Sequence, residues 1–238
     1  MMQSVGSGRA CAVIVVDERR ERLAVALCLR VAREGLAIQV ACSMPLPLLA
    51  TVLARIEKGG VRTYSHRVDP AKGDEVAALF ARIAAQGQRP ALVAFAVGSD
   101  EQASLLQIGP EGLANAWRTC CLGGFNVGQA AVRRFLPQRR GTLIFVGSRD
   151  RPTAPAHFSG SAPAKAGLRS LSQSLARAFG PRGIHVAHVV ADHVLGSEVT
   201  GDTETSLAEM CWQLHLQHLT AWSQEWDVEH AAAYAVSQ

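Results

Sequence analysis

Ser148 lies thirteen positions before Ser161, and Ser161 lies four before Lys165. A hydroxyl and an amine brought together can do proton-transfer chemistry, and a desolvated lysine can activate a serine as a nucleophile. The local sequence gives that nucleophile little support. No G-x-S-x-G turn is present, and no oxyanion element stands out. Each residue also has a plainer reading. Ser148 ends a strand, Ser161 caps a helix that has Pro163 near its start, and Lys165 is a solvated helix charge. Cys120 and Cys121 suggest thiol chemistry, but small buried apolar residues explain them better.

The elements that must position these residues alternate. Ala10–Val16 reads as a strand buried on both faces, and Leu23, Leu27 and Val31 mark a helix stopped by Gly35. Strand Ala37–Ala41, a helix near Leu48–Glu57 and the Gly59-Gly60 break follow. Next come strand Val61–Arg67, helix Glu75–Ala84 and, after Pro90, strand Ala91–Ala96. A long helix is expected from about Gly112 to Phe135, then strand Thr142–Val146 and a helix over Pro163–Phe179. That helix ends in the breaker pair Gly180-Pro181. Strand His185–Val190, a helix near Leu207–Leu214 and a last strand near Ser223–Val228 complete the chain. Apolar strands alternating with helices predict an α/β fold: a doubly wound parallel sheet of about seven strands with helices on both faces. No linker divides the 238 residues. One domain is expected, with residues 1–9 as a loose tail.

The stretch from Gly141 to Val190 (GTLIFVGS…SAPAKAGLRSLSQSLARAFGPRGIHVAHVV) resembles the short-chain dehydrogenases/reductases. The resemblance extends through LRVAREG (29–35), DEVAALFARI (74–83), GGFNVGQAA (123–131) and WQLHLQHLTAWSQEWDV (212–228). It implies a Rossmann fold and an NAD(P)-dependent oxidoreductase of a small carbonyl or alcohol. It also implies a homo-oligomer, dimer or tetramer, paired through the helices near 112–135 and 163–179. Small residues on those helices (Ala116, Gly123, Gly124, Ala130, Ala166, Gly167, Ala176) are expected to allow close approach. In the family, Tyr is the general acid/base, Lys lowers its pKa and touches the nicotinamide ribose, Ser orients the substrate and Asn anchors a water. Carried over, the catalytic positions are Ser148, Ser161, Lys165 and Cys120. Ser161 stands at the tyrosine position and Cys120 at the asparagine position.

The family's turn from strand one into helix one carries glycines that let backbone amides approach a pyrophosphate. The three glycine positions fall on Glu18, Arg22 and Ala24. Arg19, Arg20 and Arg22 are candidates to hold phosphates by bidentate contacts. The competing reading makes DERRER a solvated first helical turn. Cys42-Ser43 occupy the ribose-recognising place, so the cofactor-binding candidates are Arg19, Arg20, Arg22, Ser43 and Lys165. The family's Asn-Asn-Ala-Gly run falls on Ala94–Val97, and Gly98 follows. Two readings stay open: a divergent enzyme that binds NAD or NADP, and a non-catalytic binding or assembly subunit.

Bulk properties narrow the classes. Net charge is +4, and no basic block with interleaved aromatics points to nucleic acid. No apolar run has membrane-spanning length. Six cysteines without a C-x-x-C pair read as reduced thiols in a cytoplasmic protein, not as a metal site. His185, His188 and His193 cluster around a strand and are expected at a core edge or in a loop. Trp212, Trp222 and Trp226 are expected to pack the tail, at least two of them in the core.

Overall fold

The computed structural model describes residues 8–99, 106–148, 161–191 and 201–228. One parallel sheet has the strand order β3-β2-β1-β4-β5-β6-β7. In chain order the strands are β1 (Arg9–Val16), β2 (Ala37–Cys42), β3 (Thr63–Arg67), β4 (Gln88–Ala96), β5 (Gly141–Gly147), β6 (Ile184–Val190) and β7 (Glu225–Asp227). The helices are α1 (Glu21–Ala32), α2 (Pro47–Lys58), α3 (Gly73–Ala85), α4 (Pro110–Trp117), α5 (Gly123–Phe135), α6 (Ala162–Phe179) and α7 (Gly201–Leu216). The doubly wound Rossmann architecture is therefore present as expected. Its order reverses between β1 and β4, the place where such sheets open a crevice beyond their strand tips.

Alternation along β1 builds both layers. Ala12, Ile14 and Val16 face α1, α2 and α7, where they meet Leu27, Leu53 and Trp212 in one apolar cluster. Cys11, Val13 and Val15 face the opposite layer with Leu79, Phe135 and Phe145. Because both faces are covered, the strand is apolar from Ala10 to Val16 instead of alternating with polar residues. Helix α3 shows the matching period, burying Val76, Leu79, Phe80 and Ile83 at helical spacing. Truncating a fully buried side chain such as Ile14 to alanine should cost about 2–5 kcal/mol.

Several boundaries and placements differ from the sequence reading. Strand β4 begins at Gln88, so Pro90 lies inside it, where the register with β1 shifts between Cys11 and Ala12. A bulge tolerates the missing N–H. The long helix runs unbroken from Pro110 to Phe135, but a π-helical turn over Arg118–Leu122 joins α4 to α5. The helix placed at Leu207–Leu214 runs from Gly201 to Leu216. His185 and His188 are buried within β6, not at a core edge. His185 Nε2 donates to the Ser223 carbonyl at 2.9 Å, and its ring stacks on Trp222. His193 lies outside the described residues. Trp212 is in the core, whereas Trp226 is partly exposed.

Four of the seven small residues on the expected pairing helices pack within the subunit. Gly123 faces Phe95 and Pro70, and Gly124 faces Leu168, Phe95 and Phe145. Ala116 and Ala176 are buried in the same subunit. Gly123, Gly124 and Ala176 let α5 and α6 lie close to the sheet, and Ala116 packs with Cys120 and Ala164. Among the described residues, no helix is long and apolar enough to cross a membrane, and no group of His, Cys, Asp or Glu is arranged to hold a metal.

Candidate functional site at the strand tips

Asp17 follows β1 directly and sits at the reversal of strand order. Its carboxylate accepts the Arg19 N–H at 3.1 Å through Oδ1, capping the short 3-10 turn Glu18–Arg20 that leads into α1. Its Oδ2 accepts the Gly98 N–H at 2.8 Å. Gly98 lies just beyond β4, so one carboxylate ties the tips of the two strands that flank the crevice. The Arg19 guanidinium donates to the Gly98 carbonyl, closing the contact from the other side.

Arg20 is buried, with 9% of its surface exposed. Its guanidinium lies against Gly98. A Cβ on Gly98 would overlap the Arg20 Nη2 and come within 3.1 Å of its Cζ. Glycine is needed there for close approach. Glu21, in the first turn of α1, accepts the Leu49 N–H at 3.0 Å and caps the start of α2. Arg22 is exposed, and Ser43 is half-buried in the loop after β2.

Cys120 packs against the start of α6, the helix that carries Lys165. Cys120 itself sits in the π turn and packs with Ala116 and Ala164. Extra residues in a helix re-aim side chains, and π turns often mark functional places. Burial pushes the Cys120 thiol up to about 11; Arg20, Lys165 and Arg19 pull it down, and Asp17 adds to the rise. The charges of Arg20, Asp17, Lys165 and Arg19 are near enough to bear on that thiol. At neutral pH that thiol keeps its proton, which leaves it a weak nucleophile.

Ser161 is only 1% exposed, at the N-cap of α6. Its side chain makes no capping bond, so the expected cap is absent; its carbonyl accepts the Lys165 N–H at 3.0 Å. Lys165 is half-buried one turn into that helix, and Ser148 is half-buried immediately after β5. Thus Lys165, Arg19 and Arg20 all act on the Cys120 thiol through their charge, whereas Arg22 stands exposed to solvent. Sequence reasoning did not single out Asp17 as a site residue. Its signal was its type and place, a short acid at a strand end before a helical turn.

A model of the family described as Enoyl-(Acyl carrier protein) reductase matches residues 21–238. The chain belongs to the short-chain dehydrogenase/reductase family. It is 24% identical over 215 residues to the 3-oxoacyl-(acyl-carrier-protein) reductase FabG of Staphylococcus epidermidis, covering 89% of this chain and 85% of that protein. A crystal structure of a short-chain dehydrogenase from Rhodopseudomonas palustris superposes with a TM-score of 0.79 at 27% identity, covering 91% of this chain and 97% of the other. A metagenomic short-chain oxidoreductase solved with NADP superposes at 0.77 with 20% identity, covering 94% and 98% of the two chains.

Nicotinamide dinucleotides fit this site poorly as it stands. The turn that should bring bare backbone to a pyrophosphate carries Glu18, Arg22 and Ala24 in place of glycines. The crevice is bridged by Asp17 and Arg19, and Arg20 lies on Gly98.

Proposed function

We propose that this chain is a short-chain dehydrogenase/reductase family protein that keeps the scaffold as a binding or assembly subunit and does not itself transfer hydride. One observation carries the reading: Ser161, at the position of the family's general acid, is 1% exposed. A general acid must reach the proton it moves and have a pKa near the working pH. The Ser161 hydroxyl meets neither condition, and the Cys120 thiol, raised to about 11, does not replace it. Incubating the purified protein with NADH or NADPH and a panel of aldehydes, ketones and 3-oxoacyl thioesters tests this. No nucleotide oxidation above the protein-free rate is expected. Saturable oxidation that disappears in Lys165→Ala would overturn it.

A second reading is a working NAD- or NADP-dependent reductase. It is favoured by Ser148 and Lys165, which hold the family's spacing, and by the names of the relatives. In that reading the substrate is a small carbonyl or an acyl group on a carrier protein, and water or another group acts as the acid.

Pairing with a second copy belongs to both readings. Leu113, Trp117, Leu122 and Phe125 are exposed along α4, the π turn and α5, with Trp117 47% exposed and Phe125 44%. An apolar stripe on a surface helix supports a partner surface. Trp117→Glu with Phe125→Glu should shift the protein to monomer in sedimentation velocity. The six free cysteines support a reducing, cytoplasmic location.

A further inference from the structure

We infer that Asp17, Arg19 and Arg20 are a built-in occupant of the switch-point crevice, filling with the chain's own side chains the place where its fold would take a dinucleotide. The inference deepens the reading of a family member without hydride transfer, but it concerns binding and is tested on binding.

Position is the first argument. The strand order reverses between β1 and β4, and ligands of doubly wound sheets bind outside the strand tips at that reversal. Asp17 and Gly98 are the residues at those two tips, and they are bonded to each other. A bond that spans the crevice competes with anything that would enter it.

Chemistry is the second argument. A phosphate binds at a helix start because unpaired amides and the helix dipole favour an anion there. Here the chain supplies its own anions. The Asp17 carboxylate already accepts the Arg19 N–H ahead of α1, and the Glu21 carboxylate already accepts the Leu49 N–H at the start of α2. Glu18 adds a further carboxylate in the turn before α1. A dinucleotide phosphate would therefore meet carboxylates where it needs amides.

Space is the third argument. Both backbone polar groups of Gly98 are taken by this loop, the N–H by Asp17 and the carbonyl by Arg19. The remaining room over Gly98 is occupied by the Arg20 guanidinium, closely enough that not even a methyl group fits. Opening the crevice means breaking the Asp17–Gly98 bond, releasing Arg19 and moving Arg20. Losing two such bonds should weaken a dinucleotide by on the order of a hundredfold.

The test is calorimetric titration of NADH and NADPH into the wild type and into the triple variant Asp17→Thr, Arg19→Ser, Arg20→Ser. The wild type should show no binding at millimolar ligand. The variant should bind at least one of the two about tenfold or more tighter than the wild-type limit. Binding by the wild type without turnover overturns this inference and leaves the proposed function standing; turnover overturns both. A folded triple variant that still binds neither nucleotide also overturns it, because the three side chains are then not what closes the crevice. Should that variant not fold, amide exchange decides. Gly98 should be protected in the wild type and exchange about tenfold or more faster in Asp17→Asn. An unprotected Gly98 in the wild type removes the clasp on which the inference stands.

Discussion

The Asp17 carboxylate accepts the Gly98 amide at 2.8 Å across 81 residues of sequence, joining the end of β1 to the end of β4. It also accepts the Arg19 amide, so two backbone donors depend on one side chain. Removing a buried acceptor leaves its donors unsatisfied, which costs more than the bond itself contributes. Asp17→Ala should therefore lower unfolding stability by about 2–3 kcal/mol. Asp17→Asn, which keeps one oxygen, should lose less. Urea denaturation of the three proteins checks both, and an unchanged midpoint in Asp17→Ala would show that the clasp contributes nothing.

Gly98 and Arg20 should be coupled. Alanine at 98 would drive its Cβ into the Arg20 guanidinium, the mobile end of a long side chain. Arginine will swing away and lose its buried place, so Gly98→Ala alone should cost roughly 1–2 kcal/mol. In an Arg20→Ala background the same change should cost almost nothing. A double-mutant cycle isolates this term. Equal costs in both backgrounds would mean that Arg20 does not hold the position.

Restoring the family's tyrosine should fail to restore chemistry. From the sequence alone, Ser161→Tyr looks like a repair. With Ser161 buried at the start of α6, a phenol must displace packed neighbours, and overpacking costs about 1–3 kcal/mol. The variant should melt earlier than the wild type and show no NAD(P)H turnover. Turnover in Ser161→Tyr would mean that the pocket is intact and that only the acid was lost.

What the sequence made legible follows physical range. Runs such as ACAVIVV and GTLIFVG announce doubly buried strands, because every residue from Cys11 to Val16 and from Gly141 to Gly147 meets a covered face. Pro90 is expected just before a strand that begins at Ala91, yet a bulge against Cys11 and Ala12 lets it lie inside β4. The π turn was invisible, since Arg-Thr-Cys-Cys-Leu carries no breaker and an extra residue leaves the apolar period nearly intact. Gly123 and Gly124 are expected on a pairing surface, but Phe95 and Phe145 from distant strands claim that space. The clasp was illegible for the same reason: Asp17 is a local cap by type, and its bond to Gly98 exists only once β1 and β4 lie side by side.

Acid should weaken the protein earlier than its carboxylates require. His215, near the end of α7, has Nδ1 2.8 Å from Thr142 Oγ1 and its ring against Trp212. Burial, then the positive charge of Arg140 and then His185, lower its pKa from 6.5 to about 4. The unfolded chain therefore takes up a proton near pH 6.5 that the folded chain refuses until about pH 4. Stability is complete above the unfolded value and falls as pH drops through that window. Between about pH 7.5 and pH 5 the loss from this one group is about 2 kcal/mol. Burial also lowers the pKa of His185, which adds a loss of the same sign. Glu225, held below the usual carboxylate range by Arg169, contributes its own loss only at lower pH. Urea midpoints measured from pH 7.5 to pH 5 should fall in the wild type and fall less in His215→Gln. An identical slope in the two proteins would assign the loss to other groups.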